Sequence, residues 1–486
     1  MKMTIPKEVK LILDKLQKKG FEAYIVGGCV RDILRGKEPK DWDVTTSAKP
    51  EEIQKVFPDS FYENKFLTVT VKTGSKKSSL KEVEVTTFRS EAKYTDKRHP
   101  DEVRFAETLK EDLARRDFTV NAIALSPNKE MVDPFLGQAD LEKKLIRTVG
   151  DPKERFNEDA LRMMRAARLA VTLGCGWQIE EKTKTAIQGN APWLQAVSKE
   201  RVRDELLKII MSERAAEGIE LLRGLGLLEY IMPELLEGYG ISQNKHHIYG
   251  CYEHSLRSLK YAAEKGFNQN VRLAALLHDI AKPKVKRGEG PDATFYNHEV
   301  VGAKMAVRIL ERLKFPKKDI EKIAKLVRYH LFYYNVDEVT ESSVRRLVRQ
   351  VGPENMEELL QVRMADRIGS GVPKAEPYKL RHLKYVIEKV SQDPISVKKL
   401  KIGGKDIMKT LGIDPGPKVG MMLDVLLGVV LNDPKKNKKD FLAKEVKKLG
   451  KLGEKKLKEM AEKSRQEREK LEIKRDEMTK KKYWVS

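Results

Sequence analysis

The chain has 486 residues, and at roughly 150 residues per domain this length predicts about three or four domains. A hydrophobic fraction of 40% supplies enough apolar side chains for buried cores and excludes a disordered protein. The formal charge of +23 favours a polyanionic partner, with nucleic acid ahead of an anionic membrane surface.

The cysteines and the apolar runs indicate where the protein is found. Cys29, Cys175 and Cys251 are far apart and lack the spacing of a metal site, which is typical of a reducing compartment. The first twenty residues are too charged for a signal peptide, and no apolar run approaches the ~18 residues of a membrane span. We therefore expect a cytoplasmic protein with no membrane partner.

The N-terminal part of the chain, to about residue 145, alternates between helical and strand patterns. An amphipathic helix is predicted over Val9–Lys18, and a strand over Ala23–Val26 runs into two glycines and a further helix. Two more strands are predicted over Thr68–Lys72 and Glu82–Phe88. Because a glycine turn between a strand and a helix exposes backbone N–H groups, this arrangement is typical of an anion site.

From about Pro152 onward the pattern is helical almost throughout. The clearest segments are Asn157–Leu173, Lys199–Met211, Ala216–Leu228 and the apolar Leu423–Leu431, which predicts a buried helix. Seven of the eight histidines lie between residues 246 and 382, so a separate module is expected there. The lysine-dense stretch from about residue 434 to 482 is either a solvated surface helix or an RNA-contacting arm.

Two aspartates that follow the glycine pair form a candidate metal site. Asp41 and Asp43 are two residues apart, so on a strand their carboxylates share a face while Trp42 turns toward the core. Two adjacent carboxylates repel unless a cation lies between them, and oxygen ligands with room for phosphates suit Mg²⁺. Glu84 on another strand can supply a third carboxylate. The alternative is an ordinary acidic strand end.

The residues before this acidic pair are suited to a triphosphate. Gly27 and Gly28 allow the backbone to approach phosphate closely, and Arg31 can neutralise part of the charge. Glycines, arginine and paired carboxylates together supply the parts for metal-assisted phosphoryl transfer. A simple Gly-Gly turn is the alternative interpretation.

Several motifs in order resemble the class II tRNA nucleotidyltransferase and bacterial poly(A) polymerase family of the DNA polymerase β superfamily. They are VGGCVRD (26–32), DWDV (41–44), EVTTFR (84–89), RRDFTVNAIA (115–124), DPFLGQADLEKKLIRTVGDP (133–152) and EDALRMMRAARLA (158–170). The resemblance implies an α+β fold, in which a mixed-sheet nucleotidyltransferase head precedes helical neck, HD and tail domains. It also implies nucleotide contacts by Arg116, Arg165 and Arg168, and a sugar-side role for Asp117 and Asn121.

Asp159 and Arg162 are candidates for reading the base. Cytosine and adenine each present an amine donor beside a ring-nitrogen acceptor, which an acceptor-only Asp and a donor-only Arg can match. Guanine and uracil present the reverse order, and mismatching a buried polar group costs about 1–3 kcal/mol. The resemblance assigns this same role to the two residues. The alternative is an intrahelical salt bridge, because residues three apart are neighbours on a helix.

The histidine-rich region resembles an HD domain, a helical metal-dependent phosphohydrolase fold. The resemblance implies a ligand set of His254, His278, Asp279 and Asp366, with His298 and His330 at positions where two-metal members carry further histidines. Imidazole and carboxylate ligands together favour Mn²⁺, Fe, Ni²⁺ or Zn²⁺ over Mg²⁺. A second, hydrolytic activity on phosphate esters would follow. His246, His247 and His382 are interpreted as structural.

The sequence therefore predicts a head over residues 1–145, a neck over 146–240, an HD module over 246–370 and a tRNA-binding tail over 371–486. The expected activity is template-independent addition of C, C and A to the 3′ end of tRNA from CTP and ATP, with Mg²⁺ in the head. The charged segment 90–105 is predicted to be a mobile loop, and in the family such a loop accompanies CCA addition. The alternatives are A-only, poly(A) or CC-only addition, an HD phosphohydrolase with an RNA-binding head, and an RNA chaperone.

Overall fold

The computed structural model describes residues 5–63, 68–92, 102–244, 248–391, 397 and 400–485. Its contacts divide the chain into two compact units, Met1–Leu331 with Glu357–Pro373, and Phe332–Met356 with Lys374–Ser486. Residues 332–356, which lie within the predicted HD module, fall in the second unit. The predictions for residues 246 and 247 and for the centre of the 90–105 loop lie outside the described residues.

The head contains a mixed sheet and short helices. Its elements are α1 (Lys7–Lys18), β1 (Ala23–Val26), α2 (Gly28–Leu34), β2 (Asp43–Thr46), α3 (Pro50–Val56), β3 (Ser60–Glu63), β4 (Thr68–Lys72), α4 (Ser78–Lys81), β5 (Glu82–Thr87), β6 (Arg89–Ala92), β7 (Glu102–Phe105), α5 (Leu109–Ala114), β8 (Ala124–Leu125), β9 (Met131–Val132), α6 (Gly137–Glu142) and β10 (Leu145–Ile146). The predicted strands β1 and β4 are confirmed at both ends.

The main sheet has the strand order β3-β4-β5-β2-β1-β8-β9. Its β2–β5 pair is parallel and its other pairs are antiparallel. One face is covered by apolar residues of α1, among them Ile12 and Leu16, which join a core with Val44 and Val85 of the sheet. The mixed-sheet head followed by helices confirms the predicted fold class.

The segment 90–105, predicted to be a mobile loop, begins and ends in strands. β6 and β7 pair antiparallel, with Arg89 opposite Phe105. The prediction of a loop was therefore wrong for these flanks, because ladder hydrogen bonds join backbone groups and do not require apolar side chains.

The neck is helical, with one short strand. Its elements are α7 (Pro152–Glu158), α8 (Leu161–Thr172), β11 (Gln178–Ile179), α9 (Glu181–Asn190), α10 (Lys199–Ile210), α11 (Ala215–Gly224), α12 (Leu228–Ile231) and α13 (Pro233–Leu236). β11 pairs in parallel with β10.

The prediction of one continuous helix over Asn157–Leu173 was wrong. Asp159 is extended, with φ −145° and ψ 103°, and separates α7 from α8. Its Oδ1 accepts a hydrogen bond from the backbone N–H of Leu161, at 3.1 Å, in the first turn of α8. Aspartate competes in this way with the helical backbone, which explains why an apparently periodic sequence breaks here.

The helices that follow are α14 (Cys251–Glu264), α15 (Gln269–Leu277), α16 (Lys282–Val285), α17 (His298–Arg312), α18 (Lys317–Tyr329), α19 (Glu341–Val351) and α20 (Met356–Gly369). Of these, α19 belongs to the second unit. The second unit continues with α21 (Tyr378–Ser391), α22 (Gly404–Leu411), α23 (Pro417–Asn432), α24 (Lys439–Gly450) and α25 (Glu454–Tyr483).

The second unit has its own apolar core. Met422 and Leu426 of α23 pack with Leu442 of α24 and Leu457 of α25, which confirms the buried helix predicted over Leu423–Leu431. Most side chains of α25 are exposed. No helix in the described ranges is long and apolar enough to cross a membrane.

Gly218 is predicted to be the packing-critical glycine of the neck. A Cβ there would lie 2.3 Å from Ile209 Cγ2 and 3.4 Å from Val171 Cγ2, so α8, α10 and α11 can meet only at a residue without a side chain. We expect Gly218→Ala to destabilise the protein by about 1–3 kcal/mol, measured as a lower thermal unfolding midpoint.

Gly189→Ala is the matched control, because a Cβ at that helical position meets nothing within 4 Å. It should be neutral, or stabilising by up to about 1 kcal/mol through helix propensity. Equal midpoints for the two variants would contradict the packing account.

Candidate functional site

The first acidic residue of β2 lies beside a second carboxylate on the neighbouring strand. Asp43 is in direct parallel register with Glu84 of β5, so the two side chains emerge on the same sheet face. Asp41 precedes the strand and is exposed, whereas Trp42 between the two aspartates is buried in the head core, as predicted. The structure thus places Asp43 and Glu84 side by side on two neighbouring interior strands, with Asp41 just before β2.

The electrostatics of Asp43 fit a cation site. Burial raises the pKa of Asp43; the Arg116 guanidinium opposes this, the Asp41 carboxylate adds to it, and the net pKa is raised. A divalent cation held by both aspartates would relieve the burial cost and the repulsion together. Asp41 and Asp43 are therefore suitable ligands for a hard cation that binds oxygen.

Gly27 brings the backbone close to this carboxylate. Its φ of +81° favours glycine, and a Cβ there would lie 3.0 Å from Arg116 Nη1 and 3.3 Å from Asp43 Oδ2. Gly28 starts α2, and Arg31 follows within that helix. The glycine pair therefore brings the start of α2 next to the acidic residues.

A chain of hydrogen bonds connects α2 to α8 through the RRDF motif. Arg31 Nη1 donates to Asn121 Oδ1 at 2.6 Å, and Asn121 Nδ2 donates to Asp117 Oδ1 at 3.1 Å. Arg165 Nε of α8 donates to the other oxygen of Asp117 at 2.8 Å. Burial raises the pKa of Asp117, but Arg165 and Asn121 outweigh it and hold that pKa below its usual value. Asp117 therefore remains an anion at the junction of head and neck.

The junction contains a cavity of about 290 Å³ that is rich in guanidinium groups. Its lining consists of Arg89, Arg115, Arg116, Asp117, Asp159, Arg162, Arg165 and Arg201. The excess of cations favours an anionic ligand, while the aspartates supply acceptors within the same space. Head and neck both contribute to this lining.

The two predicted base-reading residues line this cavity, but each is paired with another residue. Asp159 accepts from Arg201 of α10, with Oδ2 2.7 Å from Nη2 and Oδ1 3.2 Å from Nη1. Arg162 is paired with Glu158 and donates through Nη2 to Arg115 O at 3.2 Å. The ion pairs of Asp159 and Arg162 are thus made with residues outside α8, unlike the intrahelical bridge that was the alternative.

Two charged residues of α10 at or beside the cavity were not identified from the sequence. Arg201 and Glu205 lie on α10, which was interpreted as scaffold, and their four-residue spacing on one helix face was the available signal. Glu205 is buried, and its Oε2 lies 2.6 Å from Arg168 Nε. Arg168, predicted to contact the nucleotide, is thus engaged beside the cavity and is not part of its lining.

Asp112 is a further residue that the sequence did not single out. It is fully buried, and its oxygens accept from Arg115 Nη2 at 2.9 Å and from Arg116 Nη2 at 3.3 Å. Burial raises the pKa of Asp112, yet the two arginines hold it below its usual value. Asp112 thus orients two guanidiniums of the cavity wall.

A second cluster brings all six predicted HD residues together around one carboxylate. Oδ2 of Asp279 lies 3.1 Å from His254 Nε2 and 3.3 Å from His278 Nε2. Oδ1 lies 3.3 Å from His298 Nε2 and 3.6 Å from His330 Nε2. Asp366 Oδ1 lies 3.4 Å from His254 Nε2 on the same side. The ligand atoms form two overlapping groups that share Asp279.

The chemistry of this cluster fits metal ions. Nδ1 of His278, His298 and His330 lies 2.7–2.8 Å from a backbone carbonyl, which directs each Nε2 toward Asp279. Among the described residues, neither oxygen of Asp279 accepts a hydrogen bond of ordinary geometry, although Lys282 Nζ lies 2.6 Å from Oδ2. Burial lowers the pKa of His278, but the carboxylates outweigh it and raise that pKa to about 10. The cluster is therefore suited to binding a cation.

A cavity of about 630 Å³ opens beside this cluster, and its wall includes Lys282, Arg363 and Arg367. Arg363 Nη1 lies 2.6 Å from Asp366 Oδ2. Cations beside a cluster that could hold metal suit a phosphate-bearing ligand.

His382, interpreted as structural, lies in the second unit, where its Nδ1 is 2.6 Å from Tyr334 Oη.

Comparison with known proteins places these sites in a family. Successive parts of the chain match "Poly A polymerase head domain" (residues 23–147), "Probable RNA and SrmB- binding site of polymerase A" (176–238) and "HD domain" (251–369). The chain is 32% identical over 448 residues to a CCA-adding enzyme of Lactococcus lactis subsp. lactis, covering 91% of this chain and 97% of that protein. The chain belongs to the class II tRNA nucleotidyltransferase/poly(A) polymerase family. The resemblance found in its motifs is confirmed.

Other relatives of this nucleotidyltransferase family differ in the product that their names state. An A-adding tRNA nucleotidyltransferase of Deinococcus radiodurans is 35% identical over 419 residues, covering 83% of this chain and 90% of its own. The Bacillus stearothermophilus CCA-adding enzyme in complex with CTP superimposes with a TM-score of 0.58 at 27% identity, over 92% of this chain and 98% of that structure.

The metal-binding capacity of the HD cluster leads to a stability prediction. Ligand binding to the folded state stabilises it by about 2.7 kcal/mol when the free ligand is at 100 times its dissociation constant. We expect Mn²⁺ or Ni²⁺, added to chelator-treated protein, to raise the thermal unfolding midpoint by several degrees. Asp279→Ala should remove the shift and His382→Ala should retain it. An undiminished shift in Asp279→Ala would exclude the cluster as the binding site.

Proposed function

We propose that this family member adds C, C and A to the 3′ end of tRNA from CTP and ATP, without a nucleic-acid template. The observation that carries the proposal is the position of Arg116. Arg116 lines the cavity of about 290 Å³ that contains Asp159 and Arg162, here called the base-reading cavity. Its Nη1 also lies 3.0 Å from the position that a Cβ on Gly27 would take, next to Asp43 Oδ2. One guanidinium therefore borders both the base-reading cavity and the acidic residues of the head. A nucleotide can therefore reach Asp159 and Arg162 with its base while its phosphates lie near the acidic strand end.

The head residues have separate tasks in this proposal. Asp41 and Asp43 would hold Mg²⁺, with Glu84 as a third carboxylate, and bound Mg²⁺ activates a 3′-hydroxyl and neutralises the leaving pyrophosphate. Arg31 and Arg116 balance the negative charge of the triphosphate. Because Asn121 connects Arg31 to Asp117, the sugar-side residues and the phosphate-side residue are fixed to one another.

The neck residues select the base by hydrogen-bond polarity. Asp159 offers only acceptors and Arg162 only donors, which matches the amine and ring nitrogen of cytosine and adenine. Arg201 occupies part of the Asp159 carboxylate and keeps it oriented. Oδ1 of Asp159 already accepts from Leu161 N and Arg201 Nη1, and Oδ2 accepts once from Arg201 Nη2, so Oδ2 keeps one lone pair for an exocyclic amine.

The partners follow from this function and from the solved relatives. One relative is described as complexed with CTP, and a Thermotoga maritima CCA-adding enzyme, at 19% identity and a TM-score of 0.52, is described as complexed with tRNA_CCA. For this chain the partners are tRNA, CTP and ATP. The exposed, lysine-rich α25 is suited to contacts with RNA phosphates.

A-only addition is the second candidate, and the 35% identity to the Deinococcus A-adding enzyme favours it. Both products require the same carboxylates and the same Asp159 and Arg162. A tRNA lacking CCA separates the two candidates, because A-only addition requires a 3′ end that already carries CC.

The HD cluster supports a second, hydrolytic activity. His254, His278, Asp279 and Asp366 would hold one ion of Mn, Fe, Ni or Zn, and His298 and His330 would extend the set. A bound ion of this kind lowers the pKa of its water and so provides a nucleophile for a phosphate ester. Lys282 and Arg363 are placed to bind the phosphate oxygens.

We expect Asp43→Asn to abolish nucleotide addition. Removing one metal ligand should cost about 4 kcal/mol of transition-state stabilisation, roughly a thousand-fold in rate. Incorporation of labelled CTP and ATP into tRNA lacking its CCA end measures this. Asp59→Asn, at an exposed head position, should retain full activity, and Asp279→Asn should retain it too. An active Asp43→Asn enzyme would contradict the proposal.

Asp159→Ala tests base selection separately from chemistry. Because the mismatch penalty at this carboxylate is about 1–3 kcal/mol, its loss should reduce discrimination against UTP and GTP roughly ten-fold or more. The measurement is kcat/KM for each nucleotide on one tRNA primer. Glu200→Ala removes an exposed negative charge from α10 next to Arg201 and should leave discrimination unchanged. If Asp159→Ala selects nucleotides like the parent protein, another residue reads the base.

A further inference from the structure

The far end of α8 is held by cations that lie outside the base-reading cavity. Arg214 Nη1 donates to Ala170 O at 3.2 Å and to Gly174 O at 3.0 Å. Arg35 Nη2 donates to Leu173 O, the residue that ends α8. Cations at the last carbonyls of a helix satisfy acceptors that have no partner within it.

Of these two cations, only Arg35 comes from the head. It ends α2, the helix that starts at Gly28 and carries Arg31. Its guanidinium is 3.5 Å from Asp32 Oδ1 and lies 5.5 Å from the ring centre of Trp177. The side chain is 16% exposed, so the contact with Leu173 is made by a restrained arginine. Arg214, in contrast, precedes α11 and joins two parts of the neck.

The α8 helix is attached to the head at both ends. At its start, Arg162 Nη2 donates to Arg115 O and Arg165 pairs with Asp117. At its far end, Leu173 accepts from Arg35. At 1.5 Å per residue, Leu173 lies about 12 Å along the helix from Arg165, and Arg162 lies about 4.5 Å from Arg165 in the other direction.

A movement at the far end of α8 would therefore displace Arg162 at its start. If the helix turned about the Arg165 contact, a displacement of about 2 Å at Leu173 would move Arg162 by roughly 0.75 Å. Selective sites require placement within about 0.5 Å, and misplacement by about 1 Å can cost a hundred-fold in rate. The contact at Leu173 is therefore far enough from Arg165 to influence where Arg162 lies, together with the contact that Arg162 itself makes with Arg115 O.

We propose that Arg35 is a positioning residue for nucleotide selection. By joining the end of α2 to the end of α8, it fixes the base-reading residues of the neck relative to the phosphate-binding residues of the head. Arg35 does not line the cavity that contains Asp159 and Arg162, so it would act through the orientation of α8. This inference rests on the proposed function, because it requires that Arg162 read the base.

Arg35→Met is the test variant, because methionine keeps an unbranched apolar side chain and removes the donors. Arg214→Met is the matched control, since it removes a cation from the same helix end without loosening a head–neck contact. Both variants should lower the thermal unfolding midpoint. Only Arg35→Met should change the ratio of kcat/KM for CTP to that for UTP on tRNA lacking CCA, lowering it at least about ten-fold.

Unchanged selection in Arg35→Met would overturn the inference, and so would an equal loss in both variants, which would indicate general destabilisation. If Arg35→Met fails to fold, Arg35→Lys allows the same comparison, because lysine keeps the charge but loses the planar donor fork. Failure of the proposed function is distinguishable, since the parent protein would then add no CTP to tRNA lacking CCA.

Discussion

The ion pair between buried Asp117 and partly exposed Arg165 is the contact on which the rest of the candidate active site depends. Asp117 lies in the head, Arg165 lies in the neck helix α8, and the carboxylate also accepts from Asn121. An unpaired buried carboxylate is costly, so Asp117 requires the Arg165 guanidinium. Because Asn121 in turn accepts from Arg31, the same carboxylate fixes both the phosphate-side and the base-side residues.

Both candidate sites contain buried carboxylates whose negative charge must be compensated, and the compensating groups differ between the two sites. In the head–neck cavity, arginines surround Asp117 and Asp112 and leave the site with an excess of fixed positive charge. In the HD cluster, imidazoles surround the carboxylate of Asp279. Their contacts with backbone carbonyls direct the other ring nitrogens toward Asp279. The first arrangement favours a nucleotide with its phosphates, and the second favours metal ions held by nitrogen and oxygen.

Much of this could be predicted from the sequence. The strand at Ala23–Val26 and the buried Trp42 follow from local residue patterns. The six HD residues are spread along the chain and are indicated by the resemblance to a family, and the fold brings them together. The break at Asp159 could not be predicted from periodicity, because it results from a side-chain hydrogen bond that competes with the helix. The pairing of Asp159 with Arg201 joins residues 42 positions apart and depends on how α10 packs against α8.

The central claim is that protein side chains, and no nucleic-acid template, read the incoming base. A crystal structure of the protein with CTP tests it most directly. The account predicts the cytosine amine within hydrogen-bond distance of Asp159 and the ring nitrogen facing Arg162, with Arg162 released from Glu158. A cytosine whose Watson–Crick edge faces solvent would contradict the account, and so would one whose Watson–Crick edge contacts residues other than Asp159 and Arg162.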